Sequence, residues 1–167
     1  MKVILQTSRL YLREFQIDDA QSMFNLNNDF DVIKYTGNKP FNSVDEAKDF
    51  LLNYNDYTKN SFGRWAVIDK ETHKFLGWCG LKLNEEGFVD IGFRFFKNNW
   101  NKGYATEAAK ACLEYGFKKL EIKEIIGRAA KENVASIRVL EKLGMHYFKS
   151  DKCYGINDAV YYRITPE

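Results

Sequence analysis

The chain has 167 residues, 45% hydrophobic and 29% charged, with a formal net charge of +2. That size and balance describe one domain with enough apolar side chains for a substantial core, and they exclude intrinsic disorder. Lysine and arginine are dispersed among aspartate and glutamate, so no charge pattern argues for nucleic acid or a membrane surface as partner.

Leu10, Leu12 and Phe15 alternate with Arg9, Tyr11 and Arg13, the period of a half-buried strand. Asp18 and Asp19 are placed to cap a short helix that turns Ala20, Met23, Phe24 and Leu26 inward. Ser43 with Glu46 three residues on is a capping box, and Ala47, Phe50, Leu51, Tyr54 and Tyr57 keep helical spacing behind it. Strands follow over 62–69, 74–83 and 87–96, joined by turns at Asp69-Lys70-Glu71-Thr72 and Asn84-Glu85-Glu86-Gly87. From Gly103 the positions Ala105, Ala108, Ala109, Cys112, Leu113, Phe117 and Leu120 form an amphipathic helix. A strand over 124–130 leads to Asn133, which caps a helix carrying Val134, Ile137, Leu140 and Leu143 and ended by Gly144. Strands over 145–154 and 159–164 close a chain that reads as a single α/β (α+β) domain spanning 1–167.

Cys79, Cys112 and Cys153 each sit in an apolar run with no C-x-x-C pair, which predicts free thiols and a reducing, cytoplasmic setting. His73 and His146 have no metal-ligand partner nearby in sequence, so no metal is expected. The N-terminal apolar run is too short for a signal peptide, and no segment reaches the length of a membrane span.

The most informative stretch joins a strand, a polar loop and a small-residue helix around Lys102-Gly103-Tyr104-Ala105. A helix start offers bare N–H groups and the positive end of a dipole, Gly103 and Ala105 leave room for close approach, and Lys102 adds charge. A phosphorylated ligand is expected there. Neither a P-loop nor a G-x-G-x-x-G fingerprint is present, which argues against a nucleoside triphosphatase or a dinucleotide fold.

Trp100-Asn101-Lys102-Gly103-Tyr104-Ala105-Thr106-Glu107-Ala108 resembles the pyrophosphate loop of the GNAT acyltransferase superfamily. Asn133-Val134-Ala135-Ser136-Ile137-Arg138-Val139-Leu140-Glu141-Lys142-Leu143-Gly144-Met145 is similar to that family's second cofactor motif. Thr7-Ser8-Arg9-Leu10-Tyr11-Leu12-Arg13 resembles the opening signature of its RimJ/RimL-type branch, which includes ribosomal-protein N-terminal acetyltransferases. The resemblance implies a mixed, mostly antiparallel sheet, which the periodicities make about seven strands flanked by about four helices. It also implies an acetyl-CoA-dependent transferase acting on a primary amine. Trp100 stands where the family pattern has Gln or Arg, and Asn101 where this branch has glycine.

By the same resemblance, the strand segment Phe93-Arg94-Phe95 splays from its neighbour, lends main-chain groups to pantetheine and polarises the thioester carbonyl. Asn101, Lys102, Gly103, Tyr104, Ala105 and Thr106 would hold the diphosphate, with Asn133 and Lys142 also reaching the cofactor. Glu107, next to an anion, should point away. Asp90 matches a position where relatives carry a Glu that removes a proton through water; as a bare residue it reads equally as a solvated strand carboxylate. Ser136 is the candidate proton donor to the departing thiolate, or simply a first-turn hydroxyl, and Leu140 stands where many members have a tyrosine. Lys142 also suits a helix end as a dipole partner.

The resemblance also implies that the acceptor enters against the N-terminal helices and the final hairpin, which makes Phe24, Tyr35, Trp65 and Trp78 candidate wall residues, with Asn27, Thr36, Phe41 and Tyr154 beside them. Asn27-Asn28-Asp29-Phe30-Asp31 offers carboxylates for a cationic amine, or a plain helix-end loop. A small-molecule amine or a protein N-terminus both fit as acceptor, and a monomer or homodimer as assembly. The competing reading is a non-catalytic CoA-binding or metabolite-sensing module of the same fold.

Overall fold

The chain opens with an antiparallel hairpin, β1 (Val3–Gln6) and β2 (Leu10–Arg13), in a computed structural model that describes residues 1–167. Four helices follow: α1 (Ala20–Asn27), α2 (Phe30–Ile33), α3 (Val44–Leu52) and α4 (Asp56–Asn60). Next come β3 (Arg64–Asp69), β4 (Phe75–Leu83), β5 (Val89–Phe95) and α5 (Tyr104–Lys118). Then β6 (Ile125–Ala130) and α6 (Val134–Lys142) precede a last hairpin, β7 (His146–Cys153) and β8 (Ile156–Ile164). All eight strands share one sheet in the order β1-β2-β3-β4-β5-β6-β8-β7, and only β5 and β6 run parallel. No helix is long and apolar enough to cross a membrane.

The sequence pattern missed β1, a half-exposed edge strand without alternation, and α2, a single turn capped by the Asp29 side chain on Asp31 N–H. It also ran two helices together. Ser43 caps α3 as expected, its Oγ accepting from Glu46 N–H at 3.1 Å, but α3 stops at Leu52. Tyr54 lies beyond that end and Tyr57 on α4, and their hydroxyls grip the first residue of β3 from both sides. Tyr54 accepts from Arg64 N–H at 2.7 Å, and Tyr57 donates to the Arg64 carbonyl. Phe15 leaves β2 and packs edge-on against Tyr54. Asp19 makes no cap bond to α1; its carboxylate takes both ends of the Arg13 guanidinium, at 2.8 and 2.7 Å.

Strand parity divides the sheet into two working faces. Trp65, Val67, Cys79, Leu81 and Ile91 turn toward α5 and form the main core with Ala108, Ala109, Cys112 and Leu113. Small residues let α5 lie close to the sheet; a Cβ on Gly116 would stand 2.9 Å from Ile125 and Leu81 methyl carbons. On the opposite face α1 and α3 bury Met23, Ala47 and Leu51, with Trp78 packed against them. The α6 helix buries Leu140 but leaves Val134 exposed, against the expected inward stripe. It ends in a Schellman turn at Gly144 (φ +83°): Met145 N–H donates to Leu140 C=O and Gly144 N–H to Glu141 C=O.

One irregularity creates the site. The parallel β5–β6 register covers only Asp90↔Ile126 and Ile91↔Gly127; beyond Ile91 the two strands have no paired positions.

Candidate active site at the divergence of two strands

Between the end of β5 and the start of α5 the chain makes one short 3-10 turn, then passes through Asn101 (φ +58°) and Gly103 (φ +78°), both in the left-handed region. Glycine adopts that backbone without strain, and asparagine is among the side chains that tolerate it best. The glycine expected by pattern at 101 is therefore replaced by a residue that keeps the same turn. From Asn101 to Thr106 no backbone N–H donates to a protein acceptor; the first that does is Glu107, to Gly103 C=O at 3.0 Å. A run of unspent donors at the head of a 15-residue helix forms a cradle with the geometry and dipole to suit an anion. Trp100, in place of Gln or Arg, folds back and donates from its indole Nε1 to Phe95 C=O at 2.9 Å.

Glu107 does point away from the cradle. Its Oε1 accepts from the Thr7 hydroxyl at 2.6 Å and Arg9 N–H at 3.0 Å, and its Oε2 from Arg9 Nε at 2.7 Å. Burial pushes this carboxyl up, but the bonds from Thr7 and Arg9 outweigh it and hold its pKa below the ordinary value. Arg9 also donates from Nη1 to Lys102 C=O at 2.9 Å and lies 4.4 Å over the Tyr104 ring.

Alternation along β5 decides which main-chain groups are free. At one end Asn84 N–H donates to Phe88 C=O, and at the other Phe96 N–H donates to Leu76 C=O. The register between β4 and β5 is unbroken, so even-numbered residues of β5 aim their main chain at β4. Phe93 and Phe95 aim theirs at the gap where β6 has diverged, but Phe95 C=O is already taken by Trp100 Nε1, which leaves the Phe93 groups free. This corrects the expectation for Arg94, whose main chain belongs to the β4 ladder, opposite Trp78. Its side chain enters the site instead.

The gap opens into a cleft of about 580 Å³ that reaches from Ser136 and Leu140 on α6 to Met23 and Asn27 on α1. Asn133 caps α6 by accepting from Ser136 N–H at 3.3 Å and lines the same cleft. Leu140 is 2% exposed and carries no hydroxyl, so Ser136 is the hydroxyl of α6 that faces the cleft. Lys142 stands exposed in the last turn of α6 and does not line the cleft. The helical rise puts it about 13 Å along the axis from Asn133, so its placement supports the dipole role rather than cofactor contact.

Asp90 is 3% exposed and wholly engaged. Its Oδ1 pairs with Arg64 Nη2 at 2.5 Å and its Oδ2 with Arg128 Nη2 at 3.0 Å. Both carboxylate oxygens are occupied by guanidinium donors, and neither is left to take up a water. The expectation of a water-relaying base is thus corrected: Asp90 positions two arginines. Gly92 makes room for one of them, since a Cβ there would stand 2.6 Å from Arg64 Cζ. The isolated arginine in the apolar strand Ile125-Ile126-Gly127-Arg128-Ala129-Ala130 is the sequence signal for this cluster.

Of the expected acceptor walls, Tyr35 and Trp78 line the cleft, as do Asn27, Thr36, Phe41 and Tyr154. Phe24 and Trp65 do not. Trp65 is 1% exposed, edge-on to Tyr115 in the core under α5; one step of strand parity separates it from Arg64, which faces the cleft. Phe24 packs in the small cluster beneath α1 and α3. Asp31 pairs with Lys97 at 2.6 Å and Asp29 caps α2, so neither offers its carboxylate to the cleft. The cleft is roofed where Gly37 (φ +69°) presses on the hairpin turn at Tyr154-Gly155; a Cβ at Gly37 would collide with Tyr154 C=O.

A diverging pair of parallel strands beside a helix start with free N–H groups is the arrangement that the sequence resemblance implies, and sequence comparison shows the family. The chain belongs to the GNAT acetyltransferase family, whose domain model, described as "Acetyltransferase (GNAT) domain", matches residues 9–146. It is 36% identical over 98% of its length, and 97% of the relative's, to the uncharacterized N-acetyltransferase YnaD of Bacillus subtilis. A crystal structure of a GNAT-family acetyltransferase from Bacillus anthracis superposes with a TM-score of 0.82 at 32% identity, covering 98% of each chain. The fold is shared with spermidine N-acetyltransferase of Vibrio cholerae, solved with CoA and spermine, at a TM-score of 0.79 and 23% identity over 95% of this chain and 96% of that one. The protein is accordingly an acetyltransferase of a family whose donor is acetyl-CoA.

Proposed function

We propose that this protein binds acetyl-CoA in the β5–β6 gap and transfers the acetyl group to a primary amine by direct attack on the thioester. The observation that carries this reading is the adjacency of two unspent sets of main-chain groups: the N–H run from Asn101 to Thr106 and the Phe93 edge freed by strand divergence. The first suits a diphosphate, with Gly103 and Ala105 giving access and Lys102 adding charge. The second suits the pantetheine arm, and Phe93 N–H is the donor for the carbonyl oxygen as it becomes an oxyanion. Losing one oxyanion donor in other enzymes costs about 2.7–4 kcal/mol.

The amine nitrogen forms the new bond to the carbonyl carbon, and the C–S bond breaks as the tetrahedral intermediate collapses. One amine proton leaves to solvent in the open cleft, and the thiolate takes one relayed by the Ser136 hydroxyl. A thiol's reference pKa of about 8.5 means that the relay needs to supply only modest help. Asn133 holds the helix turn that presents Ser136. The opening Thr7-Ser8-Arg9 segment supports placement in the RimJ/RimL-type branch.

The test has two parts: calorimetric titration with CoA, and thiol release from acetyl-CoA across a panel of primary amines. CoA binding with turnover of at least one amine is expected. CoA binding with no thiol release from any amine would favour a non-catalytic CoA-binding module. Failure of CoA to bind would reject the cleft assignment itself.

A further inference from the structure

We propose that the acceptor amine also carries a carboxylate, and that Arg94 binds it. This rests on the acetyltransferase reading above and adds the chemical class of the acceptor. Arg94 lies one residue beyond Phe93 on β5, and its side chain lines the acceptor side of the cleft. Its Nη1 donates to Asn27 Oδ1 at 2.7 Å and its Nη2 to Asn38 Oδ1 at 2.6 Å, with the guanidinium 5.2 Å from the Trp78 ring centroid.

Neither partner carries charge. The other two arginines of the cleft each have a carboxylate: Arg64 has Asp90, and Arg128 has Asp90, Glu85 and Glu86. Arg94 has none, and a guanidinium holds more N–H donors than the two bonds to asparagine use. Burial, then the neighbouring charge of Arg64, lowers its pKa to about 10. Arg94 is half-buried, and a cation partly withdrawn from water without a counter-charge favours a bound anion.

The surroundings agree. Lys39, Arg64, Lys82, Arg94 and Arg128 line the cleft against Glu85 and Asp90, a local positive excess in a chain whose net charge is only +2. That excess disfavours a polyamine, whereas a carboxylate is matched by the planar fork of Arg94. Asn84 adds a second unspent donor: its Nδ2 is the buried side-chain polar atom without a partner, on a residue 7% exposed that lines the cleft. Because Arg94 adjoins Phe93, the anion and the amine belong to one small molecule or one peptide end.

The experiment measures kcat/KM for matched pairs: ornithine with putrescine, lysine with cadaverine, tyrosine with tyramine, and Asp- against Lys-containing dipeptides, with spermidine alongside. The preferred acceptor is expected to bear a carboxylate and to exceed its uncharged or cationic counterpart at least tenfold. Arg94→Gln should erase that ratio through KM, Arg94→Lys should restore part of it, and CoA affinity should stay unchanged in both. Preference for the free amino acid over the dipeptide identifies the source of the carboxylate. A polyamine or decarboxylated amine as best acceptor overturns the inference, as does a ratio unaltered by Arg94→Gln, or no turnover by any panel member while CoA binds. Loss of CoA binding by the wild-type protein would instead overturn the acetyltransferase reading beneath it.

Discussion

Arg9 and Glu107, 98 positions apart, are joined by an ion pair in which Glu107 Oε2 takes both Arg9 Nε at 2.7 Å and Arg9 Nη2 at 2.6 Å. The pair ties the turn before β2 to the first turn of α5. Since Arg9 also donates to Lys102 C=O, the N-terminal segment braces the loop that presents the N–H run. Glu107 thereby has its charge matched by Arg9 on the side away from that N–H run.

Glu107→Gln should loosen that brace. The expected result is roughly tenfold weaker CoA binding by calorimetry, with a stability loss of about 1 kcal/mol, since Arg9 is partly exposed and screened. The pH dependence has a definite sign. Glu107's pKa is lowered in the folded protein, so its contribution is present above the unfolded value near 4.5 and is lost as pH falls below it. The wild-type protein should lose melting temperature more steeply than the variant on acidification through that range.

Gly103 stands at φ +78°, and a Cβ there would meet Arg9 Nη2 at 3.4 Å, which is ordinary contact. Alanine therefore fits in space and suffers only in backbone angle, a cost of about 1 kcal/mol. Glutamate adds bulk and negative charge in the anion's path. Gly103→Ala should weaken CoA binding severalfold, and Gly103→Glu should abolish it, both read by calorimetry on variants checked for folding by circular dichroism.

Ser136 receives its cap bond through its backbone N–H, so Ser136→Ala leaves Asn133 capping intact. Turnover should fall about 10- to 100-fold, toward the low end of general-acid contributions, with acetyl-CoA affinity unchanged. A loss that shrinks with thioesters of more acidic thiols would show that the hydroxyl serves the leaving group.

Asp90→Asn should be chiefly a stability variant. It leaves Arg64 and Arg128, whose side chains are 16% and 11% exposed, without the charge they share. Breaking a buried pair in this way costs roughly 3 kcal/mol. The melting temperature should drop clearly, while the shape of the rate–pH profile stays the same in whatever folded fraction remains. A lost acidic limb in that profile would restore Asp90 as a base.

Much of the architecture was legible along the chain because it is local. Capping at Ser43 and Asn133, the stop at Gly144 and the small-residue face of α5 each depend on neighbours within a turn or two. Tyr54 and Tyr57 misled because helical spacing persists across the break after Leu52; what turns them is their grip on Arg64, ten and seven residues on, where the chain has already entered β3. Trp65 and Trp78 were equally aromatic and equally strand-borne, and only their parity against the helices separates core from cleft.

The run of free N–H groups was written in the sequence by itself: Gly103, Ala105 and the helix that follows specify it through backbone geometry, which needs no distant partner. The acceptor side was decided by tertiary structure alone. Asp90 read equally as a base or a solvated carboxylate until β3 and β6 brought Arg64 and Arg128 to its two oxygens, and Arg94 read as a main-chain cofactor contact until its side chain met two asparagines and no carboxylate. Charges act through space, and the chain's order does not record which of them will be neighbours.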